Sequence, residues 1–201
     1  MKKFILMVAA ALTLAVNVNA QEGYEDTKHE VAIALGVESN SQWIDNFEHV
    51  LSVFSGYSYD NDRYMEPISA EYIYHINKML GFGAIFTYAN HKQDVYSNWT
   101  SKKTLVGNSS NSYYTLMPAV KFNFLRKKNF GLYSKAALGV TYRTEFIDYD
   151  DGSEDYDEKD LLLNWQLSFI GIEAGSPYLR AFAELGIGEQ GVVCAGLRYK
   201  F

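Results

Sequence analysis

Four histidines, His29, His49, His75 and His91, are the side chains best suited to exchange protons near neutral pH. His91 is followed by Asp94 and Ser97, which brings a base, an acid and a hydroxyl into one short stretch. Hydrolysis needs more than types: the nucleophile must touch the base, and a third group must orient that base. His91 and Asp94 have a spacing and not a triad, so catalytic residues are expected to be none. A second candidate is the acidic run "DYDDGSEDYDEKD", Asp148–Asp160. A calcium loop of the EF-hand kind would place its glycine at Gly152 and its first ligand at Ile147, which has no oxygen to offer. The run therefore reads as a solvated acidic loop, with divalent ions bridging it to lipid phosphates as the sharper alternative. No metal site and no cofactor motif is expected. "NWT" and "NSS" match the glycosylation tripeptide but carry little weight here. Trp99 and its tyrosine-rich surroundings are a weak candidate for a surface contact. The lone Cys194 has no partner for an internal disulfide.

The third group of candidates is the most regular. Glu30, Glu71, Lys121, Lys135, Arg143, Glu145, Arg180, Glu184 and Arg198 each sit inside a run that alternates with apolar residues. Alternation at period two puts successive side chains on opposite faces of a strand. In "DLLLNWQLSFIGIE" the odd positions Leu161 to Phe169 are apolar and Asn164, Gln166 and Ser168 oppose them. "FGLYSKAALGVTYRTEF" opposes Leu132, Leu138 and Val140 to Lys135, Thr141, Arg143 and Glu145. Runs at 29–38, 68–76, 80–88, 112–124, 178–187 and 191–201 behave alike, which makes about eight strands. High Tyr (16) and Phe (12) with few Pro (3) agree with a strand-rich chain.

Short and long connections alternate. The links after Ile76, Phe124 and Glu173 are tight, whereas 39–64, 90–111 and 147–159 read as long loops, and "GEQ" joins the last two strands. That is the asymmetry of an up-and-down barrel whose ends face different compartments. Which face is inside then decides the class. The charged face also carries Ala32, Ala34, Gly81, Gly83, Ala119, Ala137, Gly139 and Gly196. In an eight-stranded barrel the interior holds little more than side chains. Small residues there leave room for long charged ones, while bulky apolar residues outside suit hydrocarbon. A soluble barrel would have the opposite polarity. The expected fold is an all-β, eight-stranded antiparallel transmembrane barrel with short periplasmic turns.

The charged interior has two open readings. One is an ion-pair network that plugs the lumen, since buried charges must be paired. The other is a narrow gated pore. Residues 1–20, with Lys2 and Lys3 before "FILMVAAALTLAV" and "VNA", read as a signal peptide, leaving 21–201 as the barrel domain. Within the first long loop, residues 41–55 predict an amphipathic helix with Trp43, Ile44, Phe47, Val50, Leu51 and Phe54 on one face. That helix either covers the barrel mouth or membrane interface, or docks a lipid or protein partner. In the final run "VVCAGLRYKF", Val193, Leu197, Tyr199 and Phe201 face lipid while Arg198 and Lys200 point inward, with Glu30 as a partner for Arg198.

With "LMPAVKFNF" and "AELGIGEQG…GLRYKF" on the page, the chain resembles the small outer-membrane β-barrel proteins of Gram-negative bacteria, similar in plan to the OmpA transmembrane domain and OmpX. The resemblance covers nearly all of the mature chain and rests on patterns, so it speaks to architecture more than to activity. It implies that the terminal aromatics Tyr199 and Phe201 are an assembly signal read by the outer-membrane assembly machinery. It also implies a cell outer-membrane location and contact with outer-membrane lipid and lipopolysaccharide. The leading expectation is a monomeric, non-enzymatic structural or surface-interaction protein whose loops meet a surface ligand or a host or partner protein. A porin-like solute channel and a lipid-modifying enzyme are the alternatives. A net charge of -6 gives nucleic acid no electrostatic foothold.

Overall fold

A computed structural model describes residues 27–42, 57–97, 104–149 and 156–201. Eight strands follow one another: β1 (His29–Val37), β2 (Tyr57–His75), β3 (Leu80–Ser97), β4 (Thr104–Arg126), β5 (Phe130–Tyr149), β6 (Tyr156–Gly175), β7 (Leu179–Gly188) and β8 (Val193–Lys200). Each pairs antiparallel with its neighbours, and β1 pairs with β8, closing the barrel. Closure leaves no strand edge unpaired around the ring, which is the condition for strands to cross a bilayer. The seam is fixed at its end, where His29 and Phe201 exchange backbone hydrogen bonds of 2.9 Å in both directions.

Exposure settles which face is which. Leu163 is 83% exposed, Leu161 70%, Leu138 65% and Ile33 64%, whereas Lys121, Arg180, Arg198 and Lys200 are all at 0%. A fold that exposes leucine and buries lysine is inside out for water and correct for hydrocarbon. Nine residues of β1 span about 30 Å, or roughly 23 Å once tilted by about 40°, close to an apolar band of about 25 Å.

The wall is uneven in height. β4 has 23 residues and β5 and β6 have 20 each, against 10 for β7 and 8 for β8. The loops expected at 90–111 and 147–159 are therefore largely strand: Ser97 pairs with Thr104, and Ile147 with Tyr156. The loop expected at 39–64 likewise gives way to β2 from Tyr57 onward. The reason is physical. Above the membrane a hairpin needs no apolar face, so its ladder continues through sequence that has lost alternation. Two bulges re-aim the wall. One lies between Met65 and Ile68 in β2, where Pro67 needs no ladder partner. The other lies between Ser168 and Ile170 in β6. Phe169 and Ile170 consequently both face outward, and the inward parity changes from even to odd.

Residues 1–20, nearly all of the expected helix 41–55 with its apolar face from Trp43 to Phe54, His49, Trp99 and the centre of the acidic run lie outside the described residues. The helical turn begins at Asn40, one residue earlier than expected, and its cap is Ser39. The Ser39 backbone N–H donates to Gln42 Oε1 at 3.0 Å, while the Gln42 N–H approaches Ser39 Oγ at 3.5 Å, which is a capping box.

Candidate functional site

The inward face of the eight strands is the only place where the chemistry-bearing residues converge among the described residues. Its half nearer the short β2–β3, β4–β5 and β6–β7 turns is a cluster of charges. Glu30, Glu71, Glu173 and Glu184 meet Lys121, Lys135, Arg180, Arg198 and Lys200, all buried. Five cations less four carboxylates leaves one positive charge, with His75 beside Glu30 at 2.9 Å.

Arg198 lies at the centre. Its guanidinium reaches Glu173 at 2.7 Å, Glu71 at 3.1 Å, Glu30 at 3.4 Å and Glu184 at 3.7 Å. It also lies over the rings of Phe182 (4.3 Å) and Tyr133 (4.8 Å). Glu173 is the carboxylate counterpart: it meets Arg198, Arg180 (2.7 Å), Lys121 (3.3 Å) and Lys200. Lys135 bridges Glu71 and Glu184, and Lys121 bridges Glu30 (2.7 Å) and Glu173. Charges taken out of water are expensive unless paired and hydrogen-bonded. Further hydrogen bonds come from neutral groups around the cluster. Tyr133 OH donates to Glu184 at 2.7 Å, and Arg180 donates to the carbonyls of Lys127 (2.8 Å) and Lys128 (2.7 Å) in the β4–β5 turn.

The outer half is built differently. The connection between β7 and β8 folds into the barrel, so that Glu189 and Gln190 are fully buried. Glu189 accepts from Ser41 Oγ (2.6 Å), the Ser41 N–H (3.1 Å), Asn164 Nδ2 (2.8 Å) and Thr115 Oγ1 (3.4 Å). These donors are neutral. Burial therefore pushes this turn carboxyl up from its ordinary value, against the opposing pull of the hydrogen bonds from Ser41 and Asn164. Gln190 joins the halves: its N–H donates to Gln166 Oε1 at 2.7 Å and its Nε2 to Glu71 Oε1 at 2.8 Å.

Of the nine charges expected inside, Glu30, Glu71, Lys121, Lys135, Arg180, Glu184 and Arg198 fall in one cluster. Arg143 and Glu145 do not join it. They pair with each other at 2.9 Å, above the cluster, with Glu145 partly exposed. Their strand continues beyond the membrane, so inward no longer means deep. Strand reasoning missed Glu173. Counted from Leu161, an odd residue belongs on the lipid side, and only the bulge at Phe169–Ile170 turns it inward. The adjacent apolar pair before Gly171 was the available signal. Glu189 was missed because a three-residue link reads as a surface turn. His29 is outside the lumen, stacked on Phe201 at 5.3 Å and bonded to Tyr72 OH at 2.8 Å. His91 is buried against Tyr64, with ring centroids 3.8 Å apart, and Asp94 and Ser97 follow it on the same strand. Cys194 is buried on the lumen side. Among the described residues no group of three His, Cys, Asp or Glu side chains could hold a metal ion.

Three solved structures align along most of this chain. The N-terminal β-barrel domain of Pseudomonas aeruginosa OprF does so at 12% identity and a TM-score of 0.45, covering 88% of this chain and all of that one. Ail, the attachment invasion locus protein of Yersinia pestis, aligns at 14% identity and 0.43, covering 87% and 99%. The outer membrane protein OprG of Pseudomonas aeruginosa aligns at 13% and 0.45, covering 90% and 99%. No protein-family model matches the chain, and no curated protein matches it significantly. By its own geometry the chain has the plan of a small outer-membrane barrel: eight antiparallel strands, an apolar exterior and a charged, filled interior.

Proposed function

We propose that this protein is an integral outer-membrane barrel of structural or surface-interaction type, non-enzymatic and monomeric, with a closed lumen. The observation that carries the reading is the filled interior. Nine ionised side chains, each buried and each with a partner of opposite sign, occupy the width that a channel would need. In this reading the tall β2–β6 wall holds recognition loops away from the membrane, as rigid scaffolds do. Lipid and lipopolysaccharide surround the apolar belt, and the loops meet a ligand or a partner protein. Planar-bilayer recording of the purified protein tests it. The expected trace is flat; a steady open channel would replace this reading with that of a narrow solute pore.

The assembly role of Tyr199 and Phe201 is part of the same proposal. Phe201 packs on His29 and Tyr199 and closes the β1–β8 seam. Removing Phe201 should lower the amount of assembled barrel in the outer membrane more than any loop change does. Normal insertion of the shortened chain would count against the signal.

A further inference from the structure

The β7–β8 turn occupies space that the first strand was built to leave empty. Gly36 faces inward near the end of β1. A Cβ placed on it would lie 1.7 Å from the carbonyl oxygen of Gln190 and 3.1 Å from Pro67. No side chain other than hydrogen can share that position with the turn. Gly191 completes the fit: its φ of 98° is in the left-handed region that suits glycine, and a Cβ there would meet the Val37 backbone. The backbone of Val192 then bonds back to Val37 at 2.8 Å. The tucked turn therefore fits against β1, β4 and β6, held by the Glu189 bonds to Ser41, Thr115 and Asn164.

The turn rests on the ion cluster through Gln190, which donates to Glu71, while its Glu189 anchor stands further out. Thr115 is six residues along β4 from Lys121, and Thr141 is six along β5 from Lys135. At about 3.3 Å per residue that is roughly 20 Å along the strand. Between them the lumen is lined by Met117, Ile85 and Ile73 packed with the small residues Ala119 and Ala137.

We propose that the Gly188–Val192 turn is a stopper that closes the outer end of the lumen, in series with the ion cluster below it. Each closure seals alone, and a passage forms only when both are open. This deepens the closed-lumen reading of the previous subsection and rests on it. The chain supplies its own reporter. Cys194 is its single cysteine. It pairs with Gly36 on β1 and with Glu184 on β7, is 2% exposed, and so lies beneath the turn, where the turn meets the cluster.

The test uses the full chain in vesicles with a charged, membrane-impermeant thiol reagent added at the extracellular face, and assembly checked by heat-modifiable gel migration. In the parent protein Cys194 should stay unlabelled. Gly36→Val evicts the turn without touching a charge, and should raise labelling of Cys194 by at least about tenfold, because access governs thiol reaction. Glu189→Ala/Gln190→Ala, which removes the anchors without a clash, serves where Gly36→Val does not assemble. A folded variant that labels no faster than the parent overturns the stopper. Conductance supplies the second arm. Gly36→Val alone and Glu173→Ala/Arg198→Ala alone should remain closed, and the three changes together should conduct. Conduction by Glu173→Ala/Arg198→Ala with the turn in place would also overturn the stopper. Conduction by the parent protein sinks the closed-lumen reading instead, and is thereby told apart.

Discussion

The two halves of the lumen solve the same problem by different means. The half nearer the short turns pairs nine charges with one another within a few ångströms, with Arg198 and Glu173 each holding several partners at once. The outer half buries one carboxylate among hydroxyls, an amide and a backbone N–H, and fills the rest with main chain. Side chains that alternate along eight strands can meet at one depth, so a charge cluster needs no loop. A backbone plug needs a connection that turns inward and a wall stripped of side chains to receive it. The first is coded by periodicity; the second by single residues such as Gly36.

The sharpest way to break this comparison is Glu173→Leu. On strict alternation from Leu161 the residue belongs on the lipid side, where leucine would be welcome. In the barrel it leaves Lys121, Arg180, Arg198 and Lys200 short of a carboxylate. The expected cost is at the upper end of about 3–5 kcal/mol, the range for orphaning a buried charge, read from urea unfolding in detergent or bilayer. A variant as stable as the parent would mean that Glu173 faces out. Lys135→Met should cost less, toward the lower end of that same range of about 3–5 kcal/mol. Glu71 and Glu184 both keep Arg198, at 3.1 and 3.7 Å. Parity between the two variants would show that the cluster has no hub.

For the outer half the expected effect is smaller. Glu189→Ala removes hydrogen bonds to a single carboxylate and should cost about 1–3 kcal/mol. A loss as large as that of Glu173→Leu would erase the distinction drawn between the halves. Smallest of all should be deletion of Ile170, at below about 1 kcal/mol, because its side chain faces outward and makes no lumen contact. On the β5 side Tyr133 pairs with Gly171 and Lys135 with Ser168, so Phe169 and Ile170 share one step. On the β7 side Leu185 pairs with Ile170 and Phe169 is the residue skipped, so deletion of Ile170 leaves Phe169 to take its place opposite Leu185. Removing it straightens β6 while Glu173 stays inward. Loss of assembly would show that the bulge is structural in its own right.

Much of this was readable in advance, for a specific reason. Seven of the charges could be assigned inward because each sits in a clean alternating run, as Lys135 does between Ser134 and Ala136. Arg143 and Glu145 satisfy the same rule and yet stand apart, since alternation gives a face and not a depth. Lys200, two residues from Arg198, follows the rule and joins Glu30 at 2.8 Å. The upper strands escaped because paired hairpins in water need no apolar side, so "GNSSNS" in β4 looks like loop.

By itself the sequence determined the strand number, the polarity of the two faces and the closure of the last strand on the first, because period-two hydrophobicity is a property of neighbours along the chain. Only the tertiary structure decided that Glu173 is a hub and that Glu189 is a plug. A bulge changes parity without changing composition, and a turn's direction depends on whether the wall opposite leaves it room. In this protein that room is the missing side chain of Gly36.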